Sequence, residues 1–286
     1  MVHRRLSPAG KRRFYYLGAD DTWRVEGRWS VDFAGRRLVL PLHRDFDFAW
    51  IAAIAFHGHD TEVCQLYERL MRGPRPPSVF FDVGASWGLH SLMLLAHGAR
   101  VLSFEPNPAC HRFFLDCCAA NCLRPELHAV AVSDRSGVAE LAVPGAETYL
   151  GTTAAAVKDA WAGRTDVTTR AVAQVTLDQV AAECGLAPDL IKIDVEGGEL
   201  AVLAGAERVL SGARPLVVLE SWPGSPERPA LFARLASHGY RLHALSFPGG
   251  PGGALTLSAY QESPALNFLA CPAEADYPPS CRQLTR

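Results

Sequence analysis

The sequence lacks a long hydrophobic run and an export signal. No apolar stretch approaches the roughly 20 residues that a membrane-spanning helix requires. The N-terminus also lacks the succession of basic, apolar and small residues that marks a signal peptide. We therefore expect a cytoplasmic protein with no membrane span.

The eight cysteines show no pairing pattern. A chain of 286 residues is far above the size at which small domains depend on disulfides. Cys110, Cys117, Cys118 and Cys122 follow a helical pattern, without the paired C-x-x-C spacing of a zinc knuckle. We expect buried thiols there and no metal.

Excess charge is absent as well. The formal net charge is −2, and no stripe combines aromatic with basic residues, so the chain has no general attraction to a polyanion. We expect no nucleic-acid partner. The composition, 20% charged and 49% hydrophobic, is that of an ordinary globular protein with a sizeable core.

The most informative stretch that is present is 79–90. An apolar run after a cluster of prolines predicts a buried strand, and the glycines that follow predict a tight turn into a helix, where backbone can approach a ligand. The turn reads D-x-G-x-x-x-G, with Gly84 and Gly88, whereas a dinucleotide site requires G-x-G-x-x-G. A nicotinamide or flavin site is therefore disfavoured.

A carboxylate follows at the spacing that a nucleoside site requires. Residues 99–104 form a second apolar strand ending at Glu105, about 20 residues beyond the glycines, where a carboxylate can accept hydrogen bonds from both ribose hydroxyls. The pattern predicts nucleoside binding without a pyrophosphate site.

Apolar segments alternate with helical ones along the rest of the chain. This alternation predicts an α/β fold with a doubly wound, mostly parallel, seven-stranded sheet and helices on both faces. After the strand that opens 79–90, the predicted strands are 99–104, 127–133, 190–196, 215–220, 240–247 and 266–270. The glycine-rich residues 248–253 are predicted to form a loop. The polar segment 145–164 is long for a connection between core strands, and we expect it to select the acceptor.

The region before this core predicts hairpins and helices. Short apolar runs within 14–42 predict one or two hairpins, with Val31 and Phe33 facing Leu38 and Leu40.

Residues 45–72 read as helical with a break at 57–60. We interpret that break as a surface loop in which Asp60 or Thr61 caps the next helix. The extension should pack over the mouth of the site, because it has few other places to bury its apolar faces.

Four motifs together resemble the FkbM family of S-adenosylmethionine-dependent methyltransferases. They are Asp82-Val83-Gly84-Ala85, Phe104-Glu105-Pro106, the string I-K-I-D-V-E-G-x-E that begins at Ile191, and Val217-Val218-Leu219-Glu220. The resemblance covers 78–272 and implies a class I methyltransferase fold, S-adenosylmethionine as cofactor, and methylation of a hydroxyl on a sugar or natural product. The chain then divides into an N-terminal extension, 1–75, and a methyltransferase domain, 76–286.

The resemblance also implies which residues bind the cofactor. In class I methyltransferases a residue at the end of the third strand commonly contacts the adenine amino group, and here that residue is Asp134. Ordinary turn chemistry with Gly137 explains Asp134 equally well. The implied cofactor-binding residues are Asp82, Gly84, Ala85, Ser86, Gly88, Glu105, Pro106, Asp134 and Asp194.

The candidate catalytic residues lie on one strand. Period-two alternation places Lys192, Asp194 and Glu196 on one side of it. One interpretation is a structural ion pair, since a buried lysine is costly unless it is paired. The other is that Lys192 orients Asp194, which takes the proton from an acceptor hydroxyl as the methyl group moves. His90 is the second candidate base because imidazole titrates near neutrality, although core packing explains it as well.

Other interpretations stay open. Asp194, Glu196, Glu199 and Glu220 could gather a divalent cation that chelates a diol acceptor. Carboxylates at strand ends often serve loops, however, and we predict no metal.

The protein could also be a non-catalytic S-adenosylmethionine-binding module. An RNA ribose 2′-O-methyltransferase is a further alternative, against which the near-neutral charge argues. The predicted partner is a small-molecule or glycan acceptor. The oligomeric state is open, a homodimer included.

Overall fold

The computed structural model describes residues 26–43, 58–145 and 150–275. Its strands are β1 (Gly27–Phe33), β2 (Arg36–Leu42), β3 (Val79–Val83), β4 (Arg100–Phe104), β5 (Glu126–His128), β6 (Ala131–Val132), β7 (Gly137–Pro144), β8 (Val167–Val175), β9 (Leu190–Ile193), β10 (Leu216–Glu220), β11 (Tyr240–Ser246), β12 (Gly250–Ala254) and β13 (Asn267–Pro272). Its helices are α1 (Thr61–Arg72), α2 (Leu89–Ala96), α3 (Pro108–Ala120), α4 (Ala155–Ala160), α5 (Leu177–Cys184), α6 (Glu199–Ala204), α7 (Glu207–Gly212), α8 (Arg228–Ser237) and α9 (Leu257–Glu262).

Eight strands form the central sheet, in the order β12-β11-β13-β10-β9-β3-β4-β5. The strands from β10 to β5 run parallel, and β13, β11 and β12 are antiparallel to their neighbours. The mostly parallel α/β fold predicted from the sequence is therefore confirmed, with one strand more than expected.

The additional strand, β12, lies where we predicted a glycine-rich loop, and that prediction is wrong. Its backbone pairs with β11, with Ser246 opposite Gly250 and His243 opposite Ala254. Because β12 is at the edge of the sheet, it pairs on one side only and has few side chains to pack. A glycine-rich segment can therefore complete the sheet.

Side chains of the sheet alternate between two hydrophobic layers. In β3, Phe80 packs with α1, α2, α3 and the β1-β2 hairpin, whereas Phe81 packs with the helices on the opposite face. In β9, Leu190 and Ile191 divide in the same way, so alternation places Lys192 on the side of α1 and α2. Within the described ranges, no helix combines the length and the apolar character needed to cross a membrane.

The predicted strand 127–133 is divided in the structure. β5 belongs to the central sheet, while β6 pairs with β8 in a separate sheet of order β6-β8-β7. Asp134 consequently follows the second sheet, in an exposed turn beside Arg135, and does not end a central strand. The helical segment after β9 also consists of two short helices, α6 and α7. A Cβ on Gly205, between α6 and α7, would lie 2.0 Å from the Ser133 carbonyl oxygen.

The N-terminal hairpin is confirmed. β1 and β2 are antiparallel with Val31 opposite Leu38, and Phe33 and Leu40 on the same face are fully buried. The remainder of the predicted hairpin region, together with residues 44–57, lies outside the described residues.

The hairpin contacts the C-terminal ends of α2 and α3. Asn121 accepts a hydrogen bond from the Val39 N–H and donates one to the Val39 carbonyl, both over 2.7 Å. His97 Nε2 lies 3.2 Å from the Phe33 carbonyl oxygen. Those helix ends are remote from the carboxyl edge of the sheet. The turn at the start of α1, by contrast, reaches this edge, since Asp60 there meets His90 and Lys192.

Arg228 connects the loop after β10 with the segment that precedes β13. The residue is 1% exposed. Its guanidinium donates to the carbonyl oxygens of Ser221, Tyr260, Ser263 and Ala265 over 2.7 to 2.9 Å. The loop after β10 is thereby held against the loop before β13.

We expect Arg228→Lys to destabilise the protein by roughly 2–4 kcal/mol. A lysine has a single ammonium and cannot reach all of these carbonyls, and each buried acceptor left unpaired costs about 1–3 kcal/mol. Chemical denaturation measures the loss. Arg234→Lys on the same helix, where the arginine side chain is 35% exposed, is the control, and we expect it to change stability by less than about 0.5 kcal/mol. Equal effects of the two substitutions would contradict this role of Arg228.

Candidate active site

The candidate site lies at the carboxyl edge of the sheet, where β3, β4 and β9 end together. The N–H groups of Gly84 and Ala85 both donate to the Phe104 carbonyl over 3.0 Å, and the Asp194 N–H donates to the Val83 carbonyl over 2.9 Å. Ligands of open α/β sheets bind at this edge. Backbone hydrogen bonds therefore join the three strand ends that carry the predicted site residues.

The two glycines of the turn are required by close contacts within the protein. Gly84 has φ 80°, and a Cβ there would lie 1.7 Å from the Asp194 carbonyl oxygen. Gly88 has φ 77°, and its Cβ would lie 2.0 Å from the Phe114 ring. We predicted that these glycines let backbone approach a ligand. The structure shows that they let the turn approach β9 and α3.

Two backbone N–H groups hold the carboxylate of Glu105, which follows β4. The residue is 7% exposed, and its carboxylate accepts hydrogen bonds from the Ser86 N–H over 2.8 Å and the Asn107 N–H over 2.7 Å. Burial raises the pKa of Glu105 to about 7, although these two N–H groups oppose the shift. Each oxygen keeps a second lone pair. The carboxylate can therefore still accept bonds from two neighbouring hydroxyls.

Lys192 and Asp194 form an ion pair at the end of β9. Lys192 Nζ lies 2.7 Å from Asp194 Oδ2, with the lysine side chain 0% and the aspartate side chain 21% exposed. Burial alone would lower the pKa of Lys192, but the charges of Asp194, Asp60 and Glu220 outweigh it and raise that pKa. The predicted contact between Lys192 and Asp194 is confirmed, and Asp194 is the partner that solvent can reach.

Asp60 is the N-cap residue of α1, as predicted, but its side chain lies in the same buried cluster and does not cap the helix from a surface loop. Its side chain is 8% exposed and makes no capping hydrogen bond to α1. Asp60 Oδ2 lies 3.2 Å from His90 Nε2 and 3.9 Å from Lys192 Nζ, and Oδ1 accepts a hydrogen bond from Asn267 Nδ2 over 3.0 Å. Burial would raise the pKa of Asp60, but His59, His90 and Lys192 together hold it well below its usual value.

His90 is less accessible than Asp194. Its side chain is 8% exposed, and its ring meets the ring of Tyr67 edge-on with centroids 5.6 Å apart. The position of His90 favours a supporting role over direct contact with an acceptor.

Three of the predicted carboxylates converge at the edge. Asp194, Glu196 and Glu220 each place one oxygen within 4.8 Å of the others, and burial and the charge of Asp194 raise the pKa of both glutamates. Such a group could hold a cation, although Lys192 already supplies a positive charge beside it. Glu199 instead accepts hydrogen bonds from two backbone N–H groups of its own loop.

Asp82 lies beneath the turn. It is 0% exposed, its Oδ2 accepts a hydrogen bond from Ser91 Oγ over 2.6 Å, and burial raises its pKa. Asp82 therefore supports α2 within the described structure. Its contact with a cofactor stays a prediction, as do those of Pro106 and Asp134.

The segment predicted to select the acceptor touches the carboxylate loop. Thr152 is 1% exposed, and its Oγ1 donates to the Glu196 carbonyl over 2.8 Å. A Cβ on Gly197 would lie 2.7 Å from Val157 of α4. Residues 150–160 thus pack beside the carboxylates.

Comparison with known proteins decides the family. The family model described as the methyltransferase FkbM domain matches residues 82–242, a range that includes Glu105, Lys192 and Asp194. The chain belongs to the FkbM methyltransferase family. The resemblance inferred from the four motifs is therefore confirmed. No curated protein matches the chain.

Several solved structures are similar to this FkbM-family chain. An FkbM methyltransferase from Methylobacillus flagellatus KT is 17% identical with a TM-score of 0.45, over 79% of this chain and 55% of that one. A SAM-dependent methyltransferase from Agrobacterium tumefaciens is 12% identical with a TM-score of 0.47, over 88% and 72%. A 16S rRNA N2 G1207 methyltransferase from T. thermophilus, in complex with AdoMet and guanosine, is 15% identical with a TM-score of 0.43, over 86% and 50%. The chain spans about half the length of the first and third.

We expect Gly84→Ala to be more destabilising than Gly98→Ala, although both glycines have positive φ. Gly98 has φ 84° with nothing within 4 Å of its Cβ position, so alanine there adds only backbone strain, about 1–2 kcal/mol. At residue 84 the added Cβ also overlaps the Asp194 backbone, which costs roughly 1–3 kcal/mol more. Thermal and chemical denaturation compare the two. Equal losses would show that the turn and β9 are not packed this closely.

Proposed function

We propose that the protein transfers a methyl group from S-adenosylmethionine to a hydroxyl of a sugar or natural-product acceptor. The observation that supports this most strongly is the Lys192–Asp194 pair, in which a partly exposed carboxylate is fixed by a fully buried ammonium. Backbone hydrogen bonds from Asp194 to Val83 and from Gly84 to Phe104 also bring the proposed base and Glu105 to one edge of the sheet.

The residues present fit the cofactor. S-adenosylmethionine, when bound, supplies an electrophilic methyl group carried on a sulfonium. Glu105 would accept hydrogen bonds from the ribose hydroxyls, since both of its oxygens are oriented by backbone N–H groups and keep free lone pairs. The turn from Gly84 to Gly88 would bind the methionine portion.

Asp194 would remove the proton of the acceptor hydroxyl. The proton of an alcohol becomes acidic only late in such a transfer. The position of the base therefore matters more than its strength. Lys192 bonds to one oxygen of Asp194, which limits how the carboxylate can rotate and leaves the other oxygen for the acceptor.

Glu196 and Glu220 favour a polyhydroxylated acceptor. Burial and the Asp194 charge raise the pKa of both, which favours protonated carboxyl groups. A protonated carboxyl both donates and accepts hydrogen bonds, as a hydroxyl does. Two such groups beside the base would bind neighbouring hydroxyls of a sugar.

The cytoplasmic location and the oligomeric state remain predictions.

The function is tested with the purified protein, labelled S-adenosylmethionine and a panel of free sugars, nucleotide sugars and glycosylated natural products. We expect S-adenosylhomocysteine and a product carrying the labelled methyl group on oxygen. Asp194→Asn should lower kcat by roughly 10²–10⁴ while the affinity for the cofactor, measured by calorimetry, stays nearly unchanged, because only the proton acceptor is lost.

Asp189→Asn is the control. Asp189 precedes the same strand at the opposite edge, where its carboxylate accepts hydrogen bonds from Ser78 and Val79. We expect lower stability and an unchanged kcat of the folded protein. A protein that binds the cofactor but methylates no acceptor would be a binding module. Normal turnover by Asp194→Asn would exclude Asp194 as the base.

A further inference from the structure

We propose that Asp60, a residue of the N-terminal extension, is a positioning residue for methyl transfer, because its buried carboxylate holds both Lys192 and His90 in place at the end of β9. This inference rests on the proposed function for its catalytic consequence. The contact that it requires can be tested without turnover.

The backbone and side chain of Asp60 are unusual for a helix start. Asp60 has φ 47° and ψ 43°, the left-handed region, at the N-cap of α1. Aspartate at this position normally accepts a hydrogen bond from the first turn of the helix, yet no such bond forms here. The carboxylate instead faces the sheet. A strained backbone that directs a carboxylate away from its usual partner indicates a different use for that group.

Asp60 meets groups from three other elements. Oδ2 lies 3.2 Å from His90 Nε2 on α2 and 3.9 Å from Lys192 Nζ on β9. Oδ1 accepts a hydrogen bond from Asn267 Nδ2 on β13 over 3.0 Å. The side chains of Asp60 and His90 are each 8% exposed and that of Lys192 is 0% exposed, so water screens these contacts little.

Lys192 is consequently shared between two carboxylates. Lys192 Nζ lies 2.7 Å from Asp194 Oδ2 and 3.9 Å from Asp60 Oδ2. An ammonium attracted from two directions has a defined position, whereas one with a single partner can follow that partner as it rotates. Because Asp194 is oriented by Lys192, Asp60 acts on the proposed base through the lysine.

His90 is held by the same carboxylate. Its Nε2 faces Asp60, and its ring packs edge-on against Tyr67. Asp60 therefore fixes the position of His90, the second candidate base predicted from the sequence. This arrangement connects the extension to the catalytic edge through a charge contact.

The test compares Asp60→Asn with Glu62→Gln. Asparagine tolerates the left-handed region at least as well as aspartate, so Asp60→Asn removes the charge and keeps the backbone. Glu62 Oε1 accepts from the same Asn267 Nδ2 over 3.0 Å, on the same helix end. Glu62→Gln therefore removes a neighbouring charge that takes no part in the proposed contact with Lys192.

Three measurements distinguish positioning from a structural role. We expect Asp60→Asn to lower kcat by about 10 to 100-fold with little change in the cofactor affinity or in KM for the acceptor. Loss of the negative charge that faces Lys192 should also move the acidic limb of the pH profile of kcat to lower pH. In NMR spectra of the protein without acceptor, the signal of the Lys192 ammonium should shift. Glu62→Gln should change none of the three.

Several charged and titratable groups lie around Asp60 and also contribute to the pH profile of kcat. Among the described residues these are His59 on the same turn, Glu62 and Tyr67 on α1, His90 on α2, Lys192 and Asp194 at the end of β9, and Glu220 at the end of β10. A structural role would lower the melting temperature and kcat together and leave the limb unmoved. Asp60→Gly, which relaxes the left-handed backbone, replaces Asp60→Asn if the latter does not fold.

The outcomes separate this proposal from the proposed function. An unshifted Lys192 signal in the folded variants overturns the role of Asp60, whether or not an acceptor is found. The same is true of a variant with wild-type kcat and pH profile. Absence of methyl transfer by the wild-type protein would refute the proposed function, and a shifted Lys192 signal would still support the contact with Asp60.

Discussion

The arrangement of the site depends on one ammonium group that solvent does not reach. Moving a charge out of water costs several kcal/mol unless partners compensate for it. Lys192 is 0% exposed on the strand that ends at the carboxyl edge of the sheet, and its nearest carboxylate belongs to Asp194, two residues further along the chain. The requirement to pair Lys192 therefore determines where Asp194 points. The ion pair is a structural contact, and the orientation proposed for Asp194 as a base would follow from the same contact.

Several other contacts hold in place the elements that surround this pair. Gly84 has no side chain, so the turn after β3 can lie against the Asp194 backbone. Asp60 and His90 close the cluster from α1 and α2. Arg228 holds the loop that follows β10 against the loop before β13. The parallel strands bring the proposed base and Glu105 to one edge, as expected for a doubly wound sheet.

The parts of the site that the sequence predicts are those governed by local rules. The alternation of side chains along a strand predicts that Lys192 and Asp194 lie on the same side of it. The glycine turn followed by a second strand predicts Glu105 as a residue of the site. Each inference requires only a few neighbouring residues.

The features that the sequence did not predict depend on contacts distant in the chain. Asp60 bonds to Asn267, 207 residues away, and nothing near Asp60 indicates that partner. The glycine-rich β12 becomes a strand because β11 offers it an unpaired edge. The segment 127–133 divides because β6 finds its partner in β8, some 40 residues later. In each case a tertiary partner outweighs local composition.

A double-mutant cycle on Lys192 and Asp194 tests the central claim most directly. Lys192→Met removes the ammonium with a side chain of similar length, and kcat is compared for each single variant and for the double variant with Asp194→Asn. If Lys192 acts through Asp194, the double variant should have the kcat of Asp194→Asn alone, because an absent base cannot lose its orientation. Losses that multiply would show that the lysine contributes independently, and would contradict this account.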